Sequence, residues 1–384
     1  MEAKMKERLV LLFLLALTGL TGCGKKDNNP IEAINTIYLP NKVEASSDEL
    51  EDKDYIKKYN DYALGKAADF FKEDENKAFS PMGIYFPALA YYDIKEASND
   101  GEIEESFSLD QDVKNYYRKV YDDAVYANKK DRSIYKNLLV LDNEKLLDEE
   151  VLDRLKKYHV GHLSKVEDKD SREGLDEFVA RITSERFEKS ELSTSKGPLL
   201  LSFSDYSSSW KAKKIYERPQ GLLFEDGHGE KKTMDSIKGI VKTKYSRDAN
   251  NTIFEMPLED GFTMLFAMPN QLEKNMFSDK AYLEEVISIP KSEGHVIFTL
   301  PKFKFKESLD LTELYPELEL EEVKQYINIG LSKGGIEGYR DLDLKAFKTK
   351  EDLEDRVEIT VDKPFVYILR TPRGEITSMG VYRY

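Results

Sequence analysis

The chain has 384 residues, and 58 Lys and Arg against 73 Asp and Glu leave a net charge of −15. Apolar residues make up 40%, enough for a core, so a wholly disordered chain is excluded, and a pI of about 5.0 argues against a general binder of nucleic acid or anionic membrane. A single cysteine excludes an internal disulfide framework and any zinc site built from several thiolates.

Lys4, Lys6 and Arg8 precede an apolar run from Leu9 to Leu20. That run is too short to cross about 30 Å of hydrocarbon as a helix, which takes about 20 residues, and it reads as the core of a secretory signal. Leu20-Thr21-Gly22-Cys23 then resembles the bacterial lipobox, in which the Cys is lipidated and becomes the mature N-terminus. The resemblance implies a signal peptide over 1–22 and an exported protein held to the bacterial cell membrane by a lipid on Cys23, its body facing outside. Residues 23–54 have the composition of a flexible tether: Lys25 to Pro30 cannot bury anything, and Ser46 to Asp54 is acidic and small. Within it, Asn35 to Val43 is expected to be an extended piece that docks on the body.

From residue 55 to 384 no second linker divides the chain, and one domain is expected. Apolar residues recur at helical spacing over Tyr55–Phe71, and Leu146 to Tyr158 and Leu175 to Phe187 share that period. After Gly197 the pattern turns to strands: Leu199 to Phe203, Thr252 to Pro257, Phe262 to Met268, Val296 to Leu300, Val357 to Thr360 and Phe365 to Arg370. Phe224 to Gly229 and Glu259-Asp260-Gly261 read as turns between strands. Helices first and strands later predict an α+β fold.

Chemistry-bearing motifs are scarce. There is no phosphate loop, no His-Glu-x-x-His and no Gly-x-Ser-x-Gly elbow. His159 and His162 sit three apart on an expected helix, and two imidazoles without a third ligand make a poor metal site. Asn250-Asn251-Thr252 has the form of a glycosylation sequon but is read as chance, and Trp210, the only Trp, is expected to anchor the core. No catalytic residue, metal or cofactor is expected.

Seven blocks, in order, carry a resemblance to the serpins. They are Asn76-Lys77-Ala78-Phe79-Ser80-Pro81, Leu199 through Trp210, Phe224-Glu225-Asp226-Gly227 with Lys232-Thr233-Met234, Glu255-Met256-Pro257 with Met264 to Pro269, Pro301-Lys302-Phe303-Lys304-Phe305, Asp362-Lys363-Pro364-Phe365, and Gly380-Val381. The resemblance implies N-terminal helices packed on a large mixed sheet, with smaller sheets beside it. It also implies, for inhibitory members, an exposed loop that a target protease cuts and that then inserts as a new strand of the large sheet.

Lys345-Ala346 resembles the start of the strand before that loop, and Pro364-Phe365 the strand after it. On this reading only residues 347–363 lie between, so the loop looks deleted and Phe347, Lys350, Glu354 and Lys363 mark its vestige. The polar cluster beneath the sheet opening also looks altered, with Ser202 for an expected Asn, Leu344 for an expected His and Gly83 for an expected Ser. The expected function is therefore a surface-anchored, non-inhibitory binding or scaffold module. The alternative is a serine-type endopeptidase inhibitor using a shortened or displaced loop around Ser332 to Tyr339. Expected partners are an extracellular protease or another protein, and the membrane through Cys23, but no nucleic acid.

Overall fold

The structure is a computed structural model that describes residues 36–38, 53–72, 74–94, 107, 134–141, 160–164, 177, 179–180, 183, 198–212, 214–289, 291–336 and 356–384. Cys23, the expected helix over 146–158 and most of that over 175–187 lie outside the described residues. Thr183 N–H donates to the Val179 carbonyl at 3.0 Å, a helical bond inside the second of these.

Helix α1 (Lys53–Phe70) buries Tyr59, Tyr62, Ala63 and Ala67 while Lys57, Lys58 and Asp61 face water, the stripe that its sequence period dictates. Strand β2 (Lys77–Phe79) leads into helix α2 (Pro81–Ile94). Ser80 caps α2: its hydroxyl accepts from Gly83 N–H at 3.3 Å, and Pro81 occupies the first helical position, where no amide is needed. The helix is apolar on every side and lies between two sheets, touching strands of both, with Met82, Ile84, Tyr85, Phe86 and Leu89 fully buried.

The first sheet contains β1 (Thr36–Tyr38), β3 (Ile134–Leu141), β4 (Val160–Ser164), β5 (Leu199–Asp205), β6 (Ser208–Ser209), β12 (Phe303–Asp310), β13 (Glu322–Ser332) and β14 (Gly335–Ile336). Their order is β1-β4-β3-β5-β13-β14-β6, with β12 on the other edge of β13. Thr36 to Tyr38, from the segment expected to dock, pair antiparallel with β4, Tyr38 opposite His162. His162 therefore lies in a strand rather than on the expected helix, because 160–164 is taken up by parallel pairing with β3.

The second sheet contains β2, β7 (Lys214–Glu225), β8 (Lys231–Arg247), β9 (Asn251–Pro257), β10 (Thr263–Pro269), β11 (Ser292–Pro301), β15 (Arg356–Thr360), β16 (Phe365–Arg370) and β17 (Ile376–Tyr382). It runs β15-β11-β8-β9-β10-β16-β17-β2, with β7 on β8. Helix α3 (Lys280–Ser288) packs on α1. The fold is α+β.

Candidate functional site: where two central strands part

Strands β5 and β13 run parallel and pair directly from Leu199–Glu322 to Asp205–Asn328. Continued, that register would set Ser208 opposite Leu331. It does not continue. After Tyr206 and Ser207 the chain veers into β6, and β14 fills the gap antiparallel to both neighbours. Ile336 sits between Leu331 and Ser208, and Gly335 between Ser332 and Ser209. Two residues that follow β13 have thus entered the sheet as the first rungs of a new central strand.

The sequence around this point suits the entry. Gly335 has φ +142, and a Cβ there would lie 2.0 Å from the Ser208 carbonyl oxygen, so no residue with a side chain fits. Ile336 is buried on the core face with Leu331. Trp210 Nε1 donates to the Ser332 carbonyl at 2.9 Å and ties the chain after β6 to the end of β13, while its own backbone bridges Leu258. Tyr206 Oη donates to Asp260 Oδ2 at 2.6 Å, and burial raises the Asp260 carboxyl above its ordinary pKa against the opposing pull of that hydroxyl.

Beneath the paired section lies a polar cluster. Gln325 of β13 grips Ser80 twice, Nε2 donating to its carbonyl and Oε1 accepting from its amide, each at 2.8 Å. Ser80 Oγ donates in turn to the Thr377 carbonyl at 2.8 Å. A Cβ on Gly83 would lie 2.6 Å from Ser202 Oγ, 2.7 Å from Ser204 Oγ and 2.9 Å from Gln325 Nε2. Glycine is what lets two strand hydroxyls and the amide share the space over α2.

Two expectations are corrected here. The strand before the loop is β13, ending at Ser332, and not one opening at Lys345-Ala346. Pairing decides this: β13 is flanked by β12 along its length and by β5 along most of it. The chain between β14 and β15 is therefore nineteen residues, 337–355. Likewise the group that bonds Ser80 beneath β13 is Gln325, in the role expected at position 344. The motif Lys-Ala was too short to fix a register that Gln325 reveals only through contact with Ser80.

The remaining sequence-selected residues are distributed over the fold. Asn76 Oδ1 accepts from the amides of Arg383 and Tyr384, fastening β2 to the chain after β17. Pro301 ends β11, and the Lys302 amide donates to the Asp235 carbonyl at 2.9 Å while its Nζ meets Glu217 at 3.0 Å. Phe303 stacks on Tyr367 at 5.4 Å and packs on Phe365 at 5.9 Å. Pro364 is buried and Lys363 half-buried in the connection between β15 and β16. Phe347, Lys350 and Glu354 lie outside the described residues. Sequence reasoning missed Gln325, Ser204 and the Tyr206–Asp260 pair, for which no local signal exists. Among the described residues no group of His, Cys, Asp and Glu is placed to hold a metal ion.

This arrangement, a large sheet whose central strands part around a short strand from the chain that follows, is that of a serpin-type fold. A family model described as Serpin (serine protease inhibitor) matches residues 59–333, and the chain belongs to the serpin family. A serpin-like protein of Methanosarcina acetivorans is 23% identical over 420 residues, covering 98% of this chain and 97% of that one. Among solved structures, the thermophilic serpin tengpin in its native state superposes with a TM-score of 0.72 at 14% identity, over 89% of this chain and 97% of that one. Native protease nexin-1 with heparin gives 0.71 at 16% identity over 86% and 99%. Serpin48 of the insect Tenebrio molitor, described as highly specific, gives 0.67 at 14% over 88% and 100%.

Proposed function

We propose that this serpin inhibits serine-type endopeptidases by strand insertion, and that it is exported and held to the bacterial membrane by a lipid on Cys23. It acts as a trap and not as an enzyme. The observation that supports this reading is β14, whose two residues pair between β13 and β6 where the seam opens.

Extended along β13, that register would bring Asp343 opposite Lys324 and Lys345 opposite Glu322 on one face. On the core face Leu342 would meet Gln325 and Ser202, and Leu344 would meet Val323 and Leu200. Leu342 and Leu344 thus fall toward α2, and Asp343 and Lys345 fall opposite residues of the other sign, as in the alternation of an inserted strand. About nine further residues at roughly 3.3 Å each reach Glu322, and Phe347-Lys348-Thr349-Lys350 remain beyond as bait. Lysines there suit the acidic specificity pocket of a trypsin-like protease.

The test is incubation of the full chain with trypsin, followed by a denaturing gel and thermal melting. A covalent adduct is expected, and cleavage between 347 and 355 should raise the melting temperature by about 20 °C or more. Ordinary fragments only, with no thermal gain, would overturn the proposal. One feature favours a non-inhibitory binding module instead: Arg340 would fall on the core face opposite Ile327, a costly place for an unpaired charge. Arrested insertion at that residue would give fragments and no adduct.

A further inference from the structure

Strand β6 is tied to the turn between β9 and β10 as well as to its own sheet. Tyr206 Oη donates to Asp260 Oδ2 at 2.6 Å, and the Ser208 hydroxyl bonds the same carboxylate. The Glu259 amide donates to the Ser209 carbonyl at 2.9 Å, and the Lys211 amide to the Pro257 carbonyl at 2.9 Å. Tyr206 also packs on Phe262, ring centroids 5.1 Å apart, while the Phe262 amide donates to Asp260 Oδ1 at 3.3 Å. Gly261, at φ +91, lets the tip turn where a side chain would press on Pro372 at 3.1 Å.

Directly paired strands lie about 4.8 Å apart, so one strand between β6 and β13 requires twice that spacing. Something must draw β6 aside against the pull of the ladder that ends at Asp205–Asn328. Backbone contacts to the turn act after Ser208. At the divergence itself, the Tyr206 and Ser208 hydroxyls both bond one half-buried carboxylate of the turn. Bonds to a carboxylate are the stronger kind.

We infer that Asp260 is the positioning residue for strand entry: through Tyr206 and Ser208 it holds β6 one strand's width from β13 and so sets the slot that Gly335 and Ile336 occupy. The inference rests on the reading that strands enter here and names the group that keeps the entry open. It places control of the large sheet in a turn of the other sheet, residues distant from the loop in sequence.

Deuterium exchange on the uncleaved full chain tests it, comparing wild type with Asp260→Ala, Asp260→Asn and Tyr206→Phe. Asp260→Ala and Tyr206→Phe should speed exchange of the Gly335 and Ile336 amides about tenfold or more, the effect of one lost charge-assisted hydrogen bond. Exchange at Leu201 and Ile327 should stay unchanged. Asp260→Asn, which keeps an acceptor for Tyr206, should retain most of the protection. Unchanged exchange at Gly335 and Ile336, or equal acceleration across both sheets in Tyr206→Phe, would overturn the inference. Asp260-dependent protection without any protease adduct would sink the inhibitory reading alone. Wild-type adduct yield in a folded Asp260→Ala protein would sink the positioning role alone.

Discussion

Asn328 Nδ2 donates to Asp205 Oδ2 at 3.2 Å across the β5–β13 seam, at the last rung before the strands part. Both side chains are buried, and two rungs of ladder below them Phe203 and Tyr326 stack at 5.0 Å with their planes within 7°. The seam is thus clasped on the face opposite Gln325, and this clasp must yield before a strand can pass between.

Asn328→Ala should therefore destabilise the uncleaved protein by about 1–3 kcal/mol, since it withdraws a donor from a buried carboxylate. The clasp exists only while the seam is closed, so the loop-cleaved form should lose much less. Urea unfolding of both forms measures the difference, and equal losses would refute it.

Gly335→Ala should eject β14 without unfolding the chain. Its Cβ would lie 2.0 Å from a backbone oxygen, and backbone cannot step aside as a flexible side chain can. The melting temperature should change by only a few degrees, whereas the yield of protease adduct should fall several-fold.

Glu307 of β12 provides a pH signature. Burial pushes its carboxyl up to about 7, with Glu75 adding to the rise and the Ala78 amide and Lys77 opposing it. A folded-state value above the unfolded one means that the native chain binds more protons between roughly pH 4.5 and 7, so stability falls as pH rises through that window. Glu307→Gln should remove this slope and stabilise the protein at pH 8 by roughly 1–2 kcal/mol, the carboxylate being partly solvated. Melting curves from pH 4.5 to 8 check both statements.

Trp210→Ala should cost roughly 3–5 kcal/mol, because the ring is 3% exposed and its Nε1 bond to Ser332 is lost with it. A melting temperature within a couple of degrees of wild type would contradict this.

Cys23→Ala should release the protein from membranes. Each buried CH₂ of an acyl chain contributes about 0.8 kcal/mol, and stable anchoring takes two such chains or a second signal. Pelleting with membranes after a high-salt wash would refute the lipid anchor.

Much of this molecule was legible in its residues. The period of 3.6 in Tyr55–Phe71, the Ser80-Pro81 cap ahead of an all-apolar helix, and the turns at Gly229 and Gly261 are local instructions, each written within a few residues. The family emerged from seven such blocks in order. What the sequence could not disclose was which stretch lies beside β5. Both 322–332 and the stretch around Lys345-Ala346 offered apolar residues at strand spacing, and strand periodicity is blind to which neighbour a strand selects. Tertiary contact made that choice: Gln325 reaches Ser80 across 245 positions, and Asn328 reaches Asp205 across 123. Only with that register in place does the loop prove to be nineteen residues long, and only then does Asp260 come to stand beside Tyr206. Helix caps and turns are decided within a few residues of chain. Register across a sheet is decided by side chains that meet only after the chain has closed on itself.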